Sequence, residues 1–174
     1  ALRLGEYRTD GVKPSISPSM DIQVSSNFER VLFDAYGRDG AAVSALMAEL
    51  RAGGGFTISQ GALQMLRETF ASGRCSEEET QATIRSAFAQ TGEVLCPHSA
   101  VGVKVAENHL GAVPMITLAT AHPAKFPDAV EAAMGTRPAL PERMADLFER
   151  PERVTRMPND LAALQAHIRE GIAN

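Results

Sequence analysis

Apolar positions recur at helical intervals through the first half of the chain. Phe28, Val31, Leu32, Ala35 and Tyr36 share one face and stop at Gly37, and Ser26 and Glu29 ahead of them have capping-box spacing. Val43, Leu46, Met47 and Leu50 make a second stripe that ends at Gly53-Gly54-Gly55. Ser59 opens a third helix carrying Ala62, Leu63, Leu66 and Phe70, with Gly73 beyond it. Ser76 with Glu79 repeats the capping-box spacing before Thr80, Ile84, Ala87 and Phe88, and Gly92 closes that helix. Four short helices joined by short loops form a helical block.

After Gly92 the pattern changes. Val94-Leu95-Cys96 reads as a short strand, and Pro97-His98-Ser99 as the cap of a helix over 100–107. That helix is rich in small residues, which lets it lie close to a sheet or a ligand. Pro114-Met115-Ile116-Thr117-Leu118-Ala119 then reads as a buried strand. It gives way to the polar loop Thr120-Ala121-His122, and Pro127 and Asp128 start a helix that Gly135 closes. In open parallel sheets ligands bind beyond the carboxyl ends of the strands, so Thr120, His122 and Lys125 are candidates for a site. Two further helices are predicted, one over 141–149 and one capped by Asn159 with Leu161, Leu164 and Ile168 on one face. At the other end, residues 1–7 read as the tail of a helix, and Pro14 and Pro18 bracket an extended segment.

Composition narrows the class. Of 174 residues, 44% are hydrophobic and 22% charged, the proportions of a globular protein. No apolar run approaches the roughly eighteen residues of a membrane helix. The formal charge of −4 comes without a basic stripe or an aromatic platform, which argues against nucleic-acid binding. Two isolated cysteines, Cys75 and Cys96, and no cationic-then-apolar leader fit a reducing cytoplasm. The chain starts at Ala1 without a methionine and reads as a piece of a longer protein.

The residues hold few other sites. The glycines at 53–55 are most simply a helix terminus and turn, because no helix with a charged or hydroxyl partner follows directly. Cys96 and His98 are neighbours, but no second pair completes a metal set, and a catalytic pair lacks a third orienting group. His167 reads as a surface residue. Lysine is scarce: Lys13, Lys104 and Lys125 stand against fourteen arginines.

Three longer motifs carry more. The segment from Ser17 to Arg30 (SPSMDIQVSSNFER), Pro97-His98-Ser99-Ala100-Val101-Gly102, and the segment from Thr120 to Pro127 (TAHPAKFP) resemble, in order, signature segments of threonine synthases of the longer bacterial and fungal type. The similarity runs along essentially the whole chain. It implies a pyridoxal-phosphate enzyme of the tryptophan-synthase-β-like fold that converts O-phosphohomoserine and water to threonine and phosphate. It also implies that the Schiff-base lysine and the glycine-rich phosphate loop lie in an amino-terminal half outside this chain. None of the three lysines stands in the family's Schiff-base context, so no catalytic residue is assigned here.

The resemblance places the Thr120 hydroxyl against the pyridine nitrogen of the cofactor; on the residues alone, a strand-end threonine bonding local backbone is the simpler reading. Asp21, Ser25, Asn27, Pro97, His98, Ser99, His122 and Lys125 are pocket-lining candidates. Lys125 suits a phosphorylated substrate as a point charge, and equally suits a solvated helix start. Cys96 stands where the family often has an acid.

The fold expected is therefore a partial α/β, tryptophan-synthase-β-like structure, mostly helical with a few short parallel strands. Residues 1–24 form an extended lead-in to the cofactor domain, 25–92 the helical block, and 93–174 the strand-helix portion with the last helices. Two alternatives stay open: a related pyridoxal-phosphate lyase, such as a dehydratase or β-replacement enzyme, and a non-catalytic regulatory or assembly domain docking through the helical block.

Overall fold

A computed structural model describes residues 1–173, which fall into two units, residues 1–139 and residues 140–173. In the first, strand β1 (Glu6–Arg8) is followed by α1 (Phe28–Ala35), α2 (Gly40–Gly53), β2 (Gly55–Thr57), α3 (Gln60–Thr69), α4 (Glu77–Thr91), α5 (Pro97–Ala106) and α6 (Pro127–Met134). The second holds a 3₁₀ turn at Glu142–Met144 and α7 (Leu161–Ala173). No helix among the described residues is long and apolar enough to cross a membrane.

The helical punctuation behaves as the sequence predicts. Ser59 caps α3 by accepting from the Ala62 amide, and Ser76 and Glu79 form a reciprocal capping box on α4. Gly54, Gly92 and Gly135 take the left-handed conformation that ends α2, α4 and α6. Leu32, Val43, Leu46, Met47, Leu50, Leu63 and Leu66 bury their side chains together with Phe56 and Ile58 of the strand segment. A second, smaller core joins α4, α5 and α6 through Ile84, Ala100 and Ala133.

The strands are elsewhere than expected. Among the described residues the sheet is one antiparallel pair, with Tyr7 opposite Phe56, rather than a few parallel strands. Residues 1–7 are a turn and a strand, not a helix tail: the Gly5 amide closes on the Ala1 carbonyl, and β1 pairs with the chain leaving α2. Gly55 is needed there, since a Cβ would stand 2.7 Å from the Tyr7 carbonyl oxygen.

Residues 94–96 and 114–119 form no strand. The second stretch leaves Ile116 and Leu118 exposed at 81% and 75%, as are Leu110 and Val113 just ahead of it at 67% and 79%. Its pattern suits a buried strand, but a strand exists only by pairing, and no described segment pairs with it.

Three helix starts and lengths also differ. The α1 start carries no side-chain cap, because the Phe28 amide already closes on the Ser25 carbonyl and Ser26 is drawn into that turn. Residues 141–149 make successive tight turns instead of a helix; Leu147 and Phe148 are exposed, so no buried stripe supports one. The α7 cap is Asp160, whose carboxylate accepts from the Ala163 amide, rather than Asn159.

Candidate functional site

The carboxyl end of the loop ahead of α5 and the polar loop at 119–123 face one another across a cleft of about 660 Å³. Its wall is made of Gly92, Glu93, Val94, Leu95, Cys96 and Ser99 on one side and Ala119, Thr120, Ala121, His122 and Pro123 on the other, with Pro138 and Ala139 at its edge. Thr120 is exposed to it.

Thr120 is held from beneath. Its amide donates to Ser99 Oγ at 3.2 Å, and Ser99 Oγ lies 3.2 Å from Cys96 Sγ. Cys96 is the α5 cap: its Sγ accepts from the Ser99 amide at 3.4 Å, while Pro97 fills the first helical position, where no amide donor is needed. The Cys96 sulfur and Thr120 Oγ1 are 4.0 Å apart. Cys96 and Ser99 are buried, so this small polar group is shielded on the protein side and open only where Thr120 meets the cleft.

His98, one residue from that group, is a junction. The Ser19 amide donates to its Nε2 at 3.1 Å, and its ring packs on Phe126 with centroids 4.5 Å apart. The three sequence motifs thus meet on one side chain. An Nε2 that accepts leaves the ring proton on Nδ1, which is buried without a hydrogen-bond partner among the described residues. Burial lowers the His98 pKa, the nearby Lys125 charge adds to this, and Asp21 opposes it. His98 is therefore neutral over a wider pH range than an exposed histidine.

Of the predicted pocket residues, Ser99 and His122 join Thr120 at the cleft. His122 also accepts the Ala124 amide on Nδ1 and so caps the turn at Pro123–Lys125. Pro97 and His98 are buried behind the wall. Lys125 is exposed, with Nζ 5.9 Å from the Phe126 ring centroid. Asp21 holds Ser15 through both its amide and its hydroxyl and faces a separate cavity beside Cys75 and Arg74. The Ser25 amide donates to the Tyr7 hydroxyl, and Asn27 is exposed at the α1 start. Asp21, Ser25 and Asn27 therefore lie apart from the cleft that Thr120 lines.

Cys96, Phe126 and Ser19 were not nominated as site residues by sequence. A cysteine directly before a proline that starts a helix was the available signal for Cys96. Nothing local marks the other two, whose contacts cross long sequence separations.

A threonine synthase carboxyl-terminal family model matches residues 99–168, the span that begins at Ser99 and contains the polar loop. Over those residues the chain is similar to the carboxyl-terminal domain of threonine synthases. A threonine synthase from Pseudomonas aeruginosa is 49% identical over 165 residues, which is 93% of this chain and 35% of that protein. The crystal structure of pyridoxal phosphate-bound threonine synthase from Brucella melitensis superposes with a TM-score of 0.87 at 52% identity, covering 97% of this chain and 37% of that one. The yeast threonine synthase structure gives 0.81 at 32% identity, with 99% and 39% covered. This chain thus spans little more than a third of the length of these relatives, and its partial α/β fold is theirs.

Proposed function

We propose that this chain is the carboxyl-terminal part of a threonine synthase that converts O-phospho-L-homoserine and water to L-threonine and phosphate with pyridoxal phosphate. The observation that carries the reading is the threonine synthase similarity over nearly the whole chain, joined to a cleft whose open wall bears the Thr120 hydroxyl. The cleft fits one edge of the cofactor: it has room for a planar heterocycle, mostly small apolar walls with Glu93 and His122 among them, and the Thr120 hydroxyl supported from behind by Ser99. It does not offer a covalent anchor, since Lys13, Lys104 and Lys125 all lie outside its lining.

When bound, pyridoxal phosphate supplies the electron sink for carbanion chemistry at the amino acid. Thr120 would face the pyridine nitrogen and meet it with a neutral hydroxyl, which moderates electron withdrawal where a carboxylate would strengthen it by holding the nitrogen protonated. Ser99 and Cys96 would keep Thr120 in place, and Ala121 and Pro123 would exclude water along the ring. Lys125 is available as a cation beside the polar loop for a phosphorylated substrate. The anchoring lysine and the phosphate loop would come from the amino-terminal remainder of the enzyme.

One surface fact supports that incompleteness: Met115, Ile116 and Leu118, in the segment patterned as a buried strand, are exposed. The same proposal includes a cytoplasmic location, with which the two unpaired thiols are consistent. A related lyase is less favoured, because the relatives that match this chain at 49% and 52% identity are threonine synthases.

The test is phosphate release from O-phospho-L-homoserine. The whole enzyme carrying this chain should release phosphate and form threonine, while the chain by itself should neither take up the cofactor's colour nor turn over. Borohydride trapping of pyridoxal phosphate on Lys104 or Lys125 of the isolated chain, or turnover of a different amino-acid substrate in preference, would overturn the proposal.

A further inference from the structure

We propose that Ser99 is a positioning residue for Thr120, with Cys96 setting the direction of the Ser99 hydroxyl. This rests on the reading above, in which Thr120 meets the cofactor ring.

Residues 110–121 belong to no helix or strand. Among the described residues, every hydrogen bond of this stretch falls at Thr120: its amide to Ser99 Oγ, and its Oγ1 facing Cys96 Sγ. One turn along α5 the loop only passes close by, since a Cβ added to Gly102 would stand 3.1 Å from the Thr117 methyl. The loop is otherwise unsupported, so where Thr120 sits is decided by what holds its amide.

What holds it is fixed. Ser99 is 4% exposed and Cys96 1%, and both belong to the first turn of α5. The next residue, Ala100, is fully buried against Ile84 of α4 and Ala133 of α6. A loose loop is thus pinned to a packed helix through one serine oxygen.

Donor accounting gives the arrangement a sense. Ser99 Oγ accepts the Thr120 amide, and the described residues offer its own proton no acceptor but Cys96 Sγ at 3.2 Å. Cys96 Sγ also accepts the Ser99 amide. The thiol proton then has Thr120 Oγ1 as its neighbour, across a weak 4.0 Å contact. The Thr120 hydroxyl proton is left free to donate into the cleft. The Ser99 hydroxyl is not needed for capping, since Cys96 already does that. Removing it therefore separates positioning from helix stability.

The test uses the whole enzyme carrying this chain, with pyridoxal phosphate as the probe. Ser99→Ala, Ser99→Thr and Thr120→Val are compared by cofactor affinity, by the visible absorption and circular dichroism of the bound cofactor, and by the melting temperature of the cofactor-free protein. Ser99→Ala should weaken cofactor binding roughly tenfold, the loss of one aligned hydrogen bond. It should also shift the cofactor bands in the same sense as Thr120→Val while leaving the melting temperature close to wild type. Ser99→Thr should restore both. If Ser99→Ala fails to fold, Ser99→Cys takes its place, filling the same volume with a poorer acceptor. Cofactor bands and affinity unchanged in the Ser99 variant, while Thr120→Val moves them, would overturn the positioning role alone. Bands unchanged in Thr120→Val would overturn the reading of Thr120 and this inference with it.

Discussion

Thr120 and His98 show how two neighbouring polar side chains acquire different jobs from different degrees of burial. Thr120 is exposed to a cleft and keeps a free hydroxyl, so Thr120→Val should lower kcat/KM of the whole enzyme by roughly 10²-fold, as loss of a preorganised polar contact does. Thr120→Ser should keep most of the activity. His98 is buried, accepts the Ser19 amide, and has its pKa lowered first by desolvation and then by Lys125. Because the unfolded chain binds a proton at His98 more readily than the folded one, this contribution to stability is fully present above about pH 6.5. It is lost as pH falls toward the lower folded value. Urea unfolding of this chain at stepped pH should therefore show stability dropping below about pH 6.5, and His98→Gln should flatten that drop. A midpoint independent of pH in the wild type would contradict it.

At the scale of elements, local chemistry and long-range pairing divide cleanly. The α4 box satisfies two amides at once, so Ser76→Ala should cost about 1 kcal/mol by urea denaturation. Gly55 is needed for a contact with β1 rather than for a turn. Gly55→Ala should push its Cβ against the Tyr7 carbonyl and cost about 1–3 kcal/mol, measurable the same way. The α3 and α4 caps, the left-handed glycines and the apolar stripes were legible in the sequence, because each is set by residues within one or two turns. The β1–β2 pair was not: Tyr7 and Phe56 lie far apart in sequence, and Tyr7 reveals its role only by stacking on Phe28 and Phe56 at centroid distances of 5.6 and 5.1 Å. The predicted helix over 141–149 fails for the converse reason. Its local start signal is present, but no face is buried to sustain it.

At the scale of the molecule, the exposed run through Val113, Ile116 and Leu118 is the feature that most needs a partner. In the proposed whole enzyme, amides of residues 115–119 should become protected from hydrogen exchange, whereas in this chain they should exchange freely. Ile116→Asp should accordingly change the stability of this chain by less than about 0.5 kcal/mol, since the site is already exposed, yet hinder assembly with the remainder. Sequence by itself determined helices α1 to α7, the caps of α3 and α4 and the glycines that end α2, α4 and α6, and it singled out the three motifs and nominated Thr120; all of these depend on near neighbours or on residue type. Only the tertiary structure decided that Cys96 and Ser99 stand under Thr120, that His98 joins three distant motifs, and that residues 113–119 are left unpaired. Those outcomes depend on which surfaces meet across long stretches of chain, and burial, hydrogen-bond partners and strand pairing are properties of that meeting.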